Sequence, residues 1–209
     1  MFAAAMLLAA GAAPATAHPL GNFVVNRYAR IEPRPRSLAL VYLVDFAEIP
    51  SAQEIARFPR LAALTLEELE RSPEGSALRD RLAEEWTAGL RLDAEGSALS
   101  LRRTAATLEV VPGAGGLPTL RLRLVFEASW PTGPEARVTY DDANAPGRLG
   151  WREIVVKAAP GVDLRSSSGS FVERSDELTD YPTDPAAEVP YEVHAEIRVL
   201  GIVAGALDE

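Results

Sequence analysis

The stretch Leu38 to Ala47, LALVYLVDFA, constrains the chain more than any other. Apolar side chains fill both faces at period two: Leu38, Leu40, Tyr42, Val44 and Phe46 on one, Ala39, Val41 and Leu43 on the other. A strand apolar on both sides has to be central in its sheet and covered above and below. Only Asp45 and, just beyond, Glu48 interrupt the run, where the strand leaves the core. A shorter strand from about Phe23 to Ile31 precedes it, and Glu32-Pro33-Arg34-Pro35 makes the turn between them.

After Pro50 the pattern turns helical. Ser51-Ala52-Gln53-Glu54 reads as a capping box followed by Ile55 and Phe58, with Pro59 as the stop. Thr65-Leu66-Glu67-Glu68 is a second box, and Ser72-Pro73 is a cap followed by a first-turn proline. Leu78, Leu82 and Trp86 then recur every four residues as one apolar stripe, and Gly89 is placed to end the helix. From Leu90 the period is two. Leu99 and Leu101, Leu108 and Val110, and Leu120 to Phe126 alternate with polar residues such as Arg121 and Arg123, as half-buried antiparallel strands do. Pro112 to Gly116 suits a hairpin loop, and Trp130 to Pro134 closes the next strand. Trp151 and Ile154 to Val156 supply core, Ser166 to Ser170 reads as a polar connection, and acidic Glu173 to Glu188 reads as surface wrap. In the last strand Tyr191, Val193, Ala195, Ile197 and Val199 face one way, and Glu192, His194, Glu196 and Arg198 the other. The expectation is a mainly β fold, an antiparallel β-sandwich with a helical insertion at about residues 51–89 between the second and third strands.

A formal net charge of -9 repels nucleic acid and anionic lipid while raising the local concentration of cations. Met1 to Ala17 carries no charge, holds the apolar run Phe2 to Ala12 and ends Ala15-Thr16-Ala17, a small-x-small cleavage site. Residues 1–17 therefore read as a signal peptide and 18–209 as a single exported, extracytoplasmic domain, periplasmic or at the cell surface, with His18 first. No cysteine is present, and both methionines, Met1 and Met6, fall in the leader, so only nitrogen and oxygen donors remain for a metal.

His18 carries the clearest chemistry, because a freed α-amine and an imidazole on one residue can chelate a divalent ion together. Glu192, His194 and Glu196 sit at strand spacing on one face, where a metal could join two of them; a solvated strand face looks the same. Asp142, Asn144 and Glu153 follow a calcium-loop spacing, but Pro146 offers no side-chain oxygen at the fifth position, and an Asx-type turn explains Asp142 and Asn144 equally well. Asp45 and Glu48 could act as acid and base in a cleft, or simply be solvated at a strand exit. No G-x-S-x-G, Walker loop or dinucleotide fingerprint is present.

Three separated stretches carry a resemblance. HPLGNFVVNRYARIE with VYLVDFAEIP, then GRLGWREIVV from Gly147 to Val156, then SDELTDYPTD from Ser175 to Asp184, resemble in content and order the extracytoplasmic N-terminal domain of bacterial nickel/cobalt permeases. The resemblance implies a non-enzymatic domain that assists or regulates passage of Ni²⁺ or Co²⁺, with a membrane permease as its partner. The histidine-rich transmembrane motifs that carry transport in that family are absent from this sequence. The alternative is a stand-alone secreted β-sandwich that binds a protein or sugar without metal; a third possibility is an oxidative enzyme built on copper at His18.

Overall fold

The protein, described by a computed structural model, is defined over residues 20–129, 135–182 and 188–200. It is mainly β, with two mostly antiparallel sheets. In chain order the elements are β1 (Val25–Pro33), β2 (Ser37–Phe46), α1 (Glu48–Ala56), α2 (Leu66–Arg71), α3 (Pro73–Ala88), β3 (Leu90–Ala94), β4 (Ser97–Ala98), β5 (Arg102–Pro112), β6 (Pro118–Ser129), β7 (Glu135–Asp142), β8 (Arg152–Val156), β9 (Asp163–Ser167) and β10 (His194–Leu200). The first sheet runs β5-β6-β2-β1-β8 and the second β4-β3-β7-β10-β9.

β2 is the middle strand of the first sheet, as its two apolar faces require, paired with β1 on one side and β6 on the other. Its inner residues Leu38, Leu40, Tyr42, Val44 and Phe46 join Val138, Tyr140, Ile197 and Val199 of the second sheet in one apolar core. The helices between β2 and β3 add Ile55, Leu69, Leu78 and Leu82 to the same core. β8 joins the edge of β1 in parallel, unlike the antiparallel pairings between the other strands.

Local signals decide the helix starts at α2 and α3. Thr65 accepts from the Glu68 amide while the Glu68 side chain returns to Thr65, and Ser72 accepts from the Gly75 amide ahead of Pro73. Ser51 departs from its expected capping role. α1 already begins at Glu48 with Ala47 as an uncapped N-cap, and Ser51 is fully buried, donating to the Phe46 carbonyl (2.8 Å) and accepting from the Leu120 amide (2.9 Å). A hydroxyl that can stitch a helix to two strands satisfies more buried groups there than at a helix end. Gly89 does end α3, yet at φ -87 it is not left-handed; a Cβ there would meet Asn144 at 2.2 Å, so glycine is needed for close approach.

Other expectations shift. Ser166 and Ser167, expected in a connection, belong to β9, which pairs with β10. The strand expected at Leu99 and Leu101 is only Ser97–Ala98, a short return of the hairpin from β3. Tyr191 does not turn inward: residues 190–192 run beside Arg152 at the edge of the first sheet, so the tyrosine is 58% exposed and its ring lies 3.7 Å from the Arg152 guanidinium. The expected strand closure at Trp130 to Pro134, the leader and most of the apolar tail lie outside the described residues. No helix among the described residues is long and apolar enough to cross a membrane.

Candidate functional site

Alternation along β1 sends Val25, Ala29 and Ile31 to the core shared by the two sheets and turns Asn26, Tyr28 and Arg30 to the opposite, outer face. β2 contributes Val41, Leu43 and Asp45 to that face, and β8 with the residue just before it contributes Trp151, Glu153 and Val155. Tyr28, Val41, Leu43, Trp151 and Val155 form a second apolar cluster, completed by Leu178 with Leu20 and Tyr181 packed against it. Leu178 and Tyr181 come from residues 171–182, an irregular strap laid over the sheet.

The strap is tied down by polar side chains. Glu153, almost fully buried, accepts from the Trp151 indole (2.8 Å), the Ser175 hydroxyl (2.5 Å) and the Arg174 amide (2.6 Å). Tyr28 donates to Glu173 (2.7 Å), Arg30 pairs with Glu177, and Arg121 donates to the carbonyls of Glu177 and Leu178. Asn26 links both ends of the corner, donating to the Tyr181 hydroxyl (2.9 Å) and accepting from the Trp151 amide (2.9 Å). Tyr181 packs edge-on against Trp151 at 5.5 Å and donates to Asp45 at 3.5 Å. Burial, reinforced by Glu173, pushes the Tyr28 phenol far above its usual value; burial, reinforced by the Asp45 charge, does the same for Tyr181. Both therefore act as neutral donors. Ser175 donates its hydroxyl hydrogen bond to Glu153 and is sealed from solvent, so this corner is a hydrogen-bonded latch.

A second polar group lies on the inner face at the same end of β1. Asp142 accepts from the Tyr42 hydroxyl (3.0 Å) and the Asn144 amide (2.9 Å) and lies 3.3 Å from Arg27. Asn144 also donates to the Trp86 carbonyl (2.9 Å), tying the end of α3 to the loop after β7. Beside it is an open cleft of about 310 Å³ floored by Phe46, Pro50 and Trp86, with Glu54, Glu85 and Arg148 around it. Hydrogen bonding from Arg57 holds the Glu85 carboxyl below its usual range.

The expected site residues do not assemble. His18 lies outside the described residues. Glu192 precedes β10 and accepts from the Ile154 amide (2.7 Å) and Arg174 (2.6 Å), His194 pairs with Asp141 (2.8 Å), and Glu196 lies 3.5 Å from Arg198. The chain changes sheets between Glu192 and His194, which parts Glu192 from the other two, and on β10 itself His194 faces Asp141 while Glu196 turns to Arg198. Asp142 and Asn144 form the Asx turn, on the inner face, whereas Glu153 points outward into the latch, so the calcium spacing closes no loop around an ion. Among the described residues no group of three or more His, Asp and Glu side chains is placed to hold a metal. Asp45 and Glu48 are near each other in sequence, but Asp45 faces Tyr181 while Glu48 is buried at the start of α1, accepting from the Ala114 amide (2.9 Å).

Asn26, Tyr28, Arg30, Trp151, Ser175 and Tyr181 escaped the sequence reading as site residues. The available signal was the alternation of β1 itself: large polar side chains at Asn26, Tyr28 and Arg30 beside a strand whose outer face is apolar imply a cover on that side. No model of a known protein family matches the chain, and no curated protein matches it.

Proposed function

We propose that this chain is a non-enzymatic, exported domain that works beside a nickel/cobalt permease and assists or regulates the passage of divalent cations. The observation that carries the reading is convergence. The three separated stretches that resemble the permease head supply the one latch: Asn26, Tyr28, Arg30 and Asp45 from the first, Trp151 and Glu153 from the second, Ser175, Glu177, Leu178 and Tyr181 from the third. The two sheets sharing one core are read as a β-sandwich, with the helices at 48–88 as an insertion between its second and third strands.

The cation chemistry is assigned to a terminus at His18 after removal of residues 1–17. Leu20, two residues further on, packs against the Trp151 cluster, which supports an entry of the chain at the corner where β2 delivers Asp45. The acidic charge of the chain favours cations there. Both donors of His18 must be deprotonated to bind, so affinity falls as pH drops from about 8 toward 6.

The test is calorimetric titration with Ni²⁺, Co²⁺, Cu²⁺ and Ca²⁺ of protein beginning at His18 and of the same protein with one extra alanine in front. The expected result is saturable Ni²⁺ or Co²⁺ binding that the extension weakens at least tenfold. Heat from neither protein with any of the four ions overturns the metal role. It would leave the stand-alone binding module, which the separate partners of Glu192, His194 and Glu196 favour.

A further inference from the structure

The outer face of the first sheet is not what an antiparallel sheet needs to close its core. With its inner face already packed against the second sheet, the default outer face is polar and solvated. Here it carries Tyr28, Val41, Leu43, Trp151 and Val155, buried because the strap lies on them. Cations stand within and beside that apolar strip: Arg30 on β1, between Val41 and Val155, and Arg121 and Arg123 on the neighbouring β6. The strap that faces them bears Glu173, Asp176, Glu177 and Asp180 against one cation, Arg174, which is turned to Glu192. The complementarity centres on Glu177, which Arg30 and Arg123 both approach while Arg121 takes the carbonyls of Glu177 and Leu178; Asp45 and Glu153 on the same face are met by the Tyr181 and Ser175 hydroxyls.

The manner of attachment is that of a bound peptide. Among the described residues, 171–182 makes no backbone pairing with a strand; its own backbone bonds are local, from Thr179 and Asp180 back to Ser175. The hold comes from the buried apolar anchor Leu178, from cations on a carboxylate and two carbonyls, from Tyr28 and Glu153 on the turn that buries Ser175, and from Tyr181 against Trp151 and Asn26. An apolar anchor surrounded by charge and hydrogen-bond pairs is how protein surfaces grip short segments.

The strap also holds a conformation it would not choose alone. Asp176, Glu177 and Leu178 are consecutive non-glycine residues at φ 44, 54 and 67, all left-handed. Side chains disfavour that region, and a run of three is maintained only by the contacts around it. The strain works against the grip, so the closed strap sits nearer to opening than its contacts alone imply.

We propose that the outer face of the first sheet is a peptide-binding surface for an acidic segment anchored by one leucine-sized side chain, and that residues 173–181 are its built-in, displaceable occupant. A partner segment that places a leucine and a carboxylate at the same points without left-handed turns competes with the strap. The face then passes from covered to occupied while the core of the two sheets stays intact. This holds whether or not the protein binds metal.

Three measurements test it on the whole chain. In native-state hydrogen exchange, the Thr179 and Asp180 amides should exchange roughly a hundredfold or more faster than the slowest amides of β2, through an opening confined to the strap. Asp176 is exposed, and its carboxylate accepts from the Thr179 hydroxyl (3.2 Å); glycine and valine both remove that bond, so the difference between them reads the backbone, and the β-branched Asp176→Val should open roughly tenfold faster than Asp176→Gly. A synthetic peptide with the sequence of residues 172–182 should bind saturably to the Leu178→Ala protein, whose anchor is missing, and a scrambled peptide should not. Adding Arg30→Ala should weaken that binding at least tenfold. Exchange of Thr179 and Asp180 only at the rate of β2, or no binding of the peptide to the Leu178→Ala protein, would overturn the proposal and make the strap an ordinary part of the fold.

Discussion

Four of the five tyrosines, Tyr28, Tyr42, Tyr140 and Tyr181, have phenols raised well above their usual range, with burial the leading cause in each. Neighbouring charges add to it: Asp142 acts on Tyr42, and Asp45 on Tyr181. A group whose folded pKa lies above its unfolded value stabilises the fold fully below the unfolded pKa, about 10 for tyrosine, and that contribution is lost as pH rises toward the folded value. Phenolate absorbance of these four should therefore appear together with loss of tertiary structure above about pH 10. Parallel alkaline titrations by absorbance and near-ultraviolet circular dichroism check this; smooth ionisation of all five tyrosines in a still-folded protein would contradict it. Gly150 makes a different demand. At φ 146, with a Cβ position 2.3 Å from the Val25 carbonyl, it lets the loop before β8 touch the start of β1. Gly150→Ala is expected to cost about 2 kcal/mol or more, read as a lowered denaturation midpoint, because both the backbone conformation and the space are wrong for a side chain.

Elements differ in how much they depend on distant partners, and so in what a substitution does. Thr65→Ala removes a reciprocal cap from an exposed, six-residue helix and should cost about 1 kcal/mol in chemical denaturation. Leu40→Asp puts a charge where the side chain has no exposure, in the strand between β1 and β6, and should cost several kcal/mol, enough to leave no folded protein. Arg121, which the alternation of β6 marks as a tolerant solvated position, instead holds two strap carbonyls; Arg121→Asp should loosen the strap while sparing the sheets, visible as faster exchange at Thr179. The same division explains what the sequence made legible. The two-faced apolar run of β2 and the caps at Thr65 and Ser72 are set by neighbours within a few residues, and all were readable. Ser51 bonding to Leu120, Tyr191 diverted to Arg152, and Asn26 joining Trp151 to Tyr181 are decided by partners far along the chain, which no local pattern encodes. The latch was hidden for the same reason: its components are ordinary polar residues until the fold brings three distant stretches to one corner.

For the molecule as a whole, an acidic surface with three arginines gathered under the strap separates two kinds of encounter, with cations in general and with an acidic segment at one place. The parallel pairing of β8 with β1 has a consequence of its own. Arg27 has to wait for Arg152, so the first strand to be made receives its second neighbour only after six later strands have been made. Parallel neighbours joined across such a distance are slow to find one another. Until they do, one side of β1 presents unpaired amides and carbonyls to whatever surrounds the nascent chain, the kind of border along which unfinished proteins adhere to one another. Products of interrupted synthesis that stop short of Arg152 should be the aggregation-prone form of this protein, and the quality-control burden of making it should fall on that interval of translation.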